Sequence, residues 1–258
     1  MDSQDNKVMV KICGVRTANA AVAACEAGAD IIGMIFAPSP RLIDIPTAQK
    51  IAQAVYASSS SAHVTSPLPP CPELSADAPA TEYFTAWAVH IAEIRRKGGR
   101  PLLSGVFQNQ PLEHILEVAR SVPLDLVQLH GTEPVEMARE IPVPVIKVFH
   151  VDAGFSLDGE SDLLRTSYHA VILLDTKVAG TSQQGGRGVS FDWNVARALS
   201  DRGVPFLMAG GLTPENIGEA VDVGRPWGVD VSSGIETDKA KDPKKIHAFV
   251  RGAKSAKR

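Results

Sequence analysis

Cys13 closes a short β-branched run, "VMVKIC" (8–13), and Gly14 follows it at once. A buried cysteine packs as a small hydrophobe, but at the open end of a strand its thiol can act as a base or a nucleophile. Strand alternation puts Met9, Lys11 and Cys13 on one face and Val10 and Ile12 on the other. An ammonium among packed side chains needs an acidic partner or must lose its charge. In "GVDVSS" (228–233), Asp230 shares a face with Ser232 and is the candidate partner, so a Lys11–Asp230 contact is expected; the alternative points one of them at solvent. The same logic pairs Gln128 with His130 in "LDLVQLH" and Leu173 with Asp175 in "HAVILLD". Two clusters suit an anion: Gly210 and Gly211 in "MAGGLTPENI", and Ser232, Ser233 and Gly234 in "VDVSSGIE". Their N–H groups and hydroxyls, with a helix N-terminus, would cradle a phosphate, although two glycines can also be no more than a tight turn. The segment 177–190 contains "GGRG", which would either fold over a ligand or serve only as a flexible loop.

Positioning these groups requires regular elements. Eight short apolar runs (8–13, 30–36, 101–107, 124–130, 143–149, 169–175, 204–210 and 228–233) alternate with amphipathic stretches at 17–29, 111–122, 191–203 and 213–224. A further helical stretch, 242–254, ends the pattern. Thr17 can cap the first helix and Pro214 suits a first helical position. Glycines in "EAGAD", "DRGVP" and "DVGRP" stand where left-handed residues end helices. Strand–helix repetition of this kind predicts a parallel sheet, and eight units fit a single α/β domain over 1–258, a (βα)8 TIM barrel. An open doubly wound sheet is the alternative, but no GxGxxG follows any strand. The Ser/Pro-rich stretch 58–80 reads as an insertion after the second helix, and 81–99 resumes a helix with Tyr83, Phe84, Trp87 and Ile91 able to face the barrel. His63 and Cys71 fall within it and are not expected to bind metal.

With 44% hydrophobic residues the chain can bury a large core, and a net charge of −3 gives no bulk attraction to nucleic acid or an acidic membrane. It has no 18-residue apolar run, and "MDSQDNK" lacks a secretory pattern. Cys13, Cys25 and Cys71 are odd in number without CxxC spacing, which predicts free thiols in a reducing compartment, the cytosol by default. Cys25, within "AACEAG", reads as packing.

The segments "KICGVRT", "GADIIGMIFAPSPR", "GVFQN", "VQLHGTE", "ILLDT", "AGGLTPENI" and "GVDVSSGIE" resemble, in order and over nearly all of the chain outside 58–80, the phosphoribosylanthranilate isomerases of tryptophan biosynthesis. The resemblance implies an Amadori rearrangement of N-(5-phosphoribosyl)anthranilate to 1-(2-carboxyphenylamino)-1-deoxyribulose 5-phosphate, with no metal or organic cofactor. It implies that Cys13 is the general base and Asp175 the general acid. It also implies that Arg41 in "SPR" meets the anthranilate carboxylate, as a guanidinium suits. His130 would line the pocket or else bond to backbone, and Gln128 and Asp230 are pocket candidates without an assigned role. The chemistry asks for a thiol lowered modestly from about 8.5, with help from Lys11, and for a carboxyl raised from about 3.9.

In that family the loop after strand six usually reads Gly-Gly-Ser/Thr-Gly-Lys, whereas here Gly186 and Arg187 belong to "GGRG" and Val189 follows. Arg187 could grip the phosphate itself, or the loop could close less tightly. The insertion is similar to fungal forms, in which this domain is often part of a multifunctional chain. Two other phosphate-binding barrels, indole-glycerol-phosphate synthase and the histidine-pathway isomerase, fit less well, since neither uses a strand-one thiol. A catalytically silent phosphate-binding domain of a larger chain is the non-enzymatic alternative.

Overall fold

The computed structural model describes residues 8–58, 72, 74, 77–152, 154–159, 161–176 and 193–257. Eight parallel strands close into a barrel: β1 (Met9–Cys13), β2 (Ile31–Ile35), β3 (Leu102–Phe107), β4 (Leu126–Leu129), β5 (Val145–Val151), β6 (Val171–Thr176), β7 (Phe206–Met208) and β8 (Gly228–Val231). Each strand pairs with its neighbour in the chain, and β8 returns to β1. Strands covered on both faces need apolar side chains at almost every position, which is why they read as continuous runs and not as alternations. Outward residues such as Val10, Ile12, Ile32 and Leu103 pack beneath the helices, whereas Ile31, Leu102, Leu126, Ile146 and Leu173 fill the interior.

Seven α-helices are described: α1 (Ala18–Ala27), α2 (Ile45–Ala57), α3 (Ala80–Gly98), α4 (Leu112–Ser121), α5 (Trp193–Asp201), α6 (Ile217–Gly224) and α7 (Pro243–Ser255). Thr17 caps α1, its hydroxyl accepting from the Ala20 N–H at 3.2 Å. Between β4 and β5 stands only a 3-10 helix, Val135–Glu140, and no helix joins β5 to β6 among the described residues. There the Arg139 and Arg165 guanidinium groups both stack on the Tyr168 ring, at 4.1 and 4.3 Å from its centroid.

Helix α3 stands apart from the outer ring. Ile91 and Ile94, with half-buried Trp87, join the interior cluster of Ile31, Leu102, Leu126 and Leu207. Arg95 ties α3 to the start of β2 through Asp30 at 3.4 Å and the Ala29 carbonyl at 3.3 Å. The helix therefore covers the end where the strands begin, and burying each isoleucine contributes about 1.5–3 kcal/mol. A site must then open at the strands' C-terminal ends. Of the four residues expected to face the barrel, Tyr83, Phe84 and Ile91 are buried and Trp87 half-buried. Most of 58–80, including His63 and Cys71, lies outside the described residues.

Two sequence expectations are corrected. Pro214 does not begin α6, because Thr213–Asn216 forms a turn stitched by Asn216, which accepts from the Thr213 N–H at 2.8 Å and donates to the Gly211 carbonyl at 2.9 Å. At "DVGRP" the left-handed residue is Arg225, with φ 47°, and not Gly224. Gly224 is there because a Cβ would stand 2.9 Å from the Met208 sulfur. No helix of the described residues is long and apolar enough to cross a membrane.

Candidate active site

Strand register brings the first pair together. Lys11 and Asp230 are direct partners across β1 and β8, and Lys11 Nζ donates to both Asp230 oxygens at 3.1 Å with no exposure to solvent. Burial pulls the Lys11 pKa down, but the neighbouring Asp230 and Cys13 outweigh it and the net direction is up, so the ammonium is kept. Cys13 lies one pleat further along the same face and pairs with Gly33 of β2. A Cβ at Gly33 would stand 3.0 Å from Cys13 Sγ and 3.1 Å from Lys11 Nζ, so the missing side chain gives both groups their room. Here the sequence expectation of a lowered thiol pKa is corrected. Burial pushes Cys13 up, Lys11 and Lys241 oppose it, and the Asp230 carboxylate adds to the rise.

Across the barrel, the His130 imidazole Nε2 lies 3.4 Å from Asp175 Oδ2. Gln128 does not line the cavity. It is fully buried beneath it, with Nε2 2.9 Å from His130 Nδ1. With the amide nitrogen toward Nδ1, the imidazole proton belongs on Nε2, the atom facing Asp175. Burial, then the charges of His150, Lys11 and Lys147, depress the His130 pKa to about 3, so a neutral N–H meets the carboxyl and no ion pair forms near pH 7. The loop that carries His130 is pinned by Glu133, which accepts from the N–H groups of Asn109 at 2.6 Å and Gly131 at 2.9 Å and pairs with Lys147 at 3.2 Å.

A cavity of about 690 Å³ opens between these groups. Cys13, Arg41, His130, Asp175, Gly210, Gly211, Asp230, Ser232, Ser233 and Gly234 all line it. Gly186 and Arg187, like the whole of 177–190, lie outside the described residues. Gly210 and Gly211 take φ 91° and 65°, a consecutive left-handed pair that turns the chain sharply along the cavity wall. A Cβ on Gly234 would strike the Leu212 carbonyl, so the loops after β7 and β8 close on each other. The two clusters that the sequence singled out for an anion thus meet on one wall of the cavity.

Sequence reasoning gave no role to Arg16, Gln108, Glu236 or Lys239, which also line the cavity. Glu236 stands in "SSGIE", two residues beyond Gly234, where its carboxylate grips the Arg41 guanidinium at 2.7 and 2.8 Å. Only the closed barrel brings residues 41 and 236 together, so no local signal could have paired them. Among the described residues no group of three or more His, Cys, Asp or Glu is arranged to hold a metal ion.

Comparison with known proteins agrees with this geometry. The family model described as N-(5'phosphoribosyl)anthranilate (PRA) isomerase matches residues 75–252. An N-(5'-phosphoribosyl)anthranilate isomerase of Roseiflexus castenholzii is 38% identical, covering 97% of this chain and all of that protein. A multifunctional tryptophan biosynthesis protein of Phycomyces blakesleeanus is 42% identical over 96% of this chain, which spans only 33% of that longer protein. The crystal structure of the phosphoribosyl anthranilate isomerase of Thermotoga maritima superposes with a TM-score of 0.70 at 34% identity, covering 96% of this chain and 99% of that one. A family model over more than half of the chain, a full-length relative and a matching barrel agree, and the chain belongs to the N-(5'-phosphoribosyl)anthranilate isomerase family.

Proposed function

We propose that this chain converts N-(5-phosphoribosyl)anthranilate into 1-(2-carboxyphenylamino)-1-deoxyribulose 5-phosphate, with Asp175 as general acid and Cys13 as general base. The observation that carries the reading is one cavity walled by a thiol from β1, a carboxyl from β6 and the glycine-serine cradle after β7 and β8. Strands β1 and β6 stand three steps apart round the ring, so the two groups approach a bound molecule from well separated sides.

Asp175 gives its proton to the ribose ring oxygen as the C1′–O bond breaks, and the nitrogen lone pair forms the C1′=N bond. The resulting iminium acidifies C2′–H, and Cys13 removes that proton to give the enolamine. Protonation at C1′ and loss of the enol proton then yield the ketone. A thiol raised by burial needs added positive charge to ionise, and the iminium supplies it beside Cys13 at the step that requires a base. The Nε2–H of neutral His130 faces Asp175 and orients its carboxyl. Arg41 takes the anthranilate carboxylate, and the cradle of Gly210, Gly211, Ser232, Ser233 and Gly234 takes the phosphate.

A relative of 33% identity, also phosphoribosyl anthranilate isomerase, has been crystallised with reduced 1-(o-carboxyphenylamino)-1-deoxyribulose 5-phosphate, which supports a site of this shape. The longer fungal relatives, multifunctional tryptophan biosynthesis proteins, support a chain fused to further tryptophan-pathway domains; the proposed reaction takes a small phosphorylated substrate, and the free-thiol reading of the cysteines favours the cytosol. Freshly made substrate loses its anthranilate-type fluorescence on turnover. The wild type should show that decay, while Cys13→Ser and Asp175→Asn should fall by about 10²-fold or more with unchanged melting curves. Folded variants that keep wild-type rates would end the assignment.

A further inference from the structure

We propose that Glu236 is a positioning residue for Arg41, and that the hairpin carrying it sets this enzyme's preference for a carboxylated aromatic amine. The inference rests on the reading of Arg41 given above and extends it. The hairpin is formed by β9 (Glu236–Thr237) and β10 (Ala240–Lys241), paired antiparallel with Glu236 opposite Lys241. Glu236 accepts from Arg41 Nε at 2.7 Å and from Arg41 Nη2 at 2.8 Å, a fork-to-fork pair that fixes the guanidinium plane. The stem of Arg41 is held as well: its backbone N–H donates to Ser39 Oγ at 3.1 Å, and its Cδ crosses Gly14 where a Cβ would stand 2.5 Å away. Glu236 leaves Arg41 Nη1 without a partner among the described residues, so an N–H edge remains for a planar carboxylate.

Charge explains why the pair does not cancel the site. Buried Lys241 donates to Glu236 at 2.8 Å and to the Ser232 carbonyl at 2.8 Å, so two cations share one anion and a net positive charge is left for a ligand. Burial would raise the Glu236 pKa, but Arg41 and Lys241 hold it at about 2, and the carboxylate stays ionised at any working pH. The hairpin tip is itself anchored, since Arg16 donates to the Lys239 carbonyl at 2.6 Å. Its turn residues Asp238 and Lys239 sit at φ 50° and 63°, a left-handed conformation that L side chains adopt only at a cost.

The test compares the carboxylated substrate with N-(5-phosphoribosyl)aniline, the same molecule without the ortho carboxylate, by following product formation. One charge-assisted contact predicts that the wild type favours the carboxylated compound by about ten- to a hundredfold in kcat/KM. Glu236→Gln should lose about tenfold of that preference, chiefly as a higher KM for the carboxylated compound, and Arg41→Ala should lose nearly all of it. Glu236→Asp, which keeps the charge but shortens its reach, should fall between and also replaces Glu236→Gln if that variant does not fold. Equal losses on both compounds would reveal a merely structural role and overturn the proposal, as would a Glu236→Gln enzyme with the full preference. A wild type that turns over both compounds equally would instead overturn the assignment of Arg41, and this proposal with it.

Discussion

Gly33→Ala tests the packing around the thiol. Gly33 lacks a left-handed φ, so in open space alanine would stabilise by about 0.4–1 kcal/mol through the unfolded state. Space is not open, because the new methyl would lie 3.0 Å from Cys13 Sγ, 3.1 Å from Lys11 Nζ and 3.2 Å from Cys13 Cα. The Cα belongs to the paired strand β1, and Nζ is pinned at 3.1 Å from both Asp230 oxygens. Relief of a few tenths of an ångström must come chiefly from Sγ swinging aside. Overpacking of this kind costs about 1–3 kcal/mol, leaving a net loss of about 1 kcal/mol and a Tm lower by roughly 2–4 °C. A 1 Å misplacement of a reacting group can cost about 10²-fold, so the smaller swing should cost about five- to tenfold in kcat, with KM changed less than about threefold. Stopped-flow fluorescence on the substrate and a thermal melt read both quantities. An Ala variant with raised Tm and full kcat would show that the contact has slack and that the placement of Sγ does not depend on Gly33.

Other expectations follow from the electrostatics and the backbone. Because the mechanism needs Asp175 protonated and Cys13, raised by burial, ionised in the same enzyme, kcat/KM should rise and then fall with pH, and a profile still climbing at strongly alkaline pH would contradict the two-group mechanism. The Glu236 pKa is depressed from 4.5 to about 2, so its stabilisation is complete above the unfolded value and is lost as pH falls through that window. Urea melts should therefore show the wild type losing more stability than Glu236→Gln between those two pH values. Lys11→Met leaves the Asp230 carboxylate buried without its cation, a change worth about 3–5 kcal/mol; a melting point within a degree of wild type would refute the pairing. Lys239→Gly relieves a left-handed backbone and should raise Tm by about 2–4 °C, and an unchanged Tm would mean the turn is not strained.

Much of the barrel was legible because strands buried on both faces must be apolar throughout, and because helix ends advertise themselves through Thr17, Gly28 and Gly203. Period-two alternation was enough to place Lys11, Cys13 and Asp230 on inward faces, and closure of eight strands makes β1 and β8 neighbours. The pairing of Arg41 with Glu236 was not legible, since those residues are 195 positions apart and meet only across the rim. Nor was the position of α3 beneath the barrel, because an amphipathic helix has the same periodicity whether it joins the outer ring or caps an end. The start of α6 went unread because the Asn216 side chain, satisfying the loop's own backbone, outweighed the preference of Pro214 for a first turn. Sequence alone determined the residue types that can move protons and hold anions, since those are properties of single side chains and short loops. Their protonation states were decided by tertiary structure, because burial and the sum of neighbouring charges exist only once Cys13, Lys11, Asp230 and Lys241 have been brought close to one another.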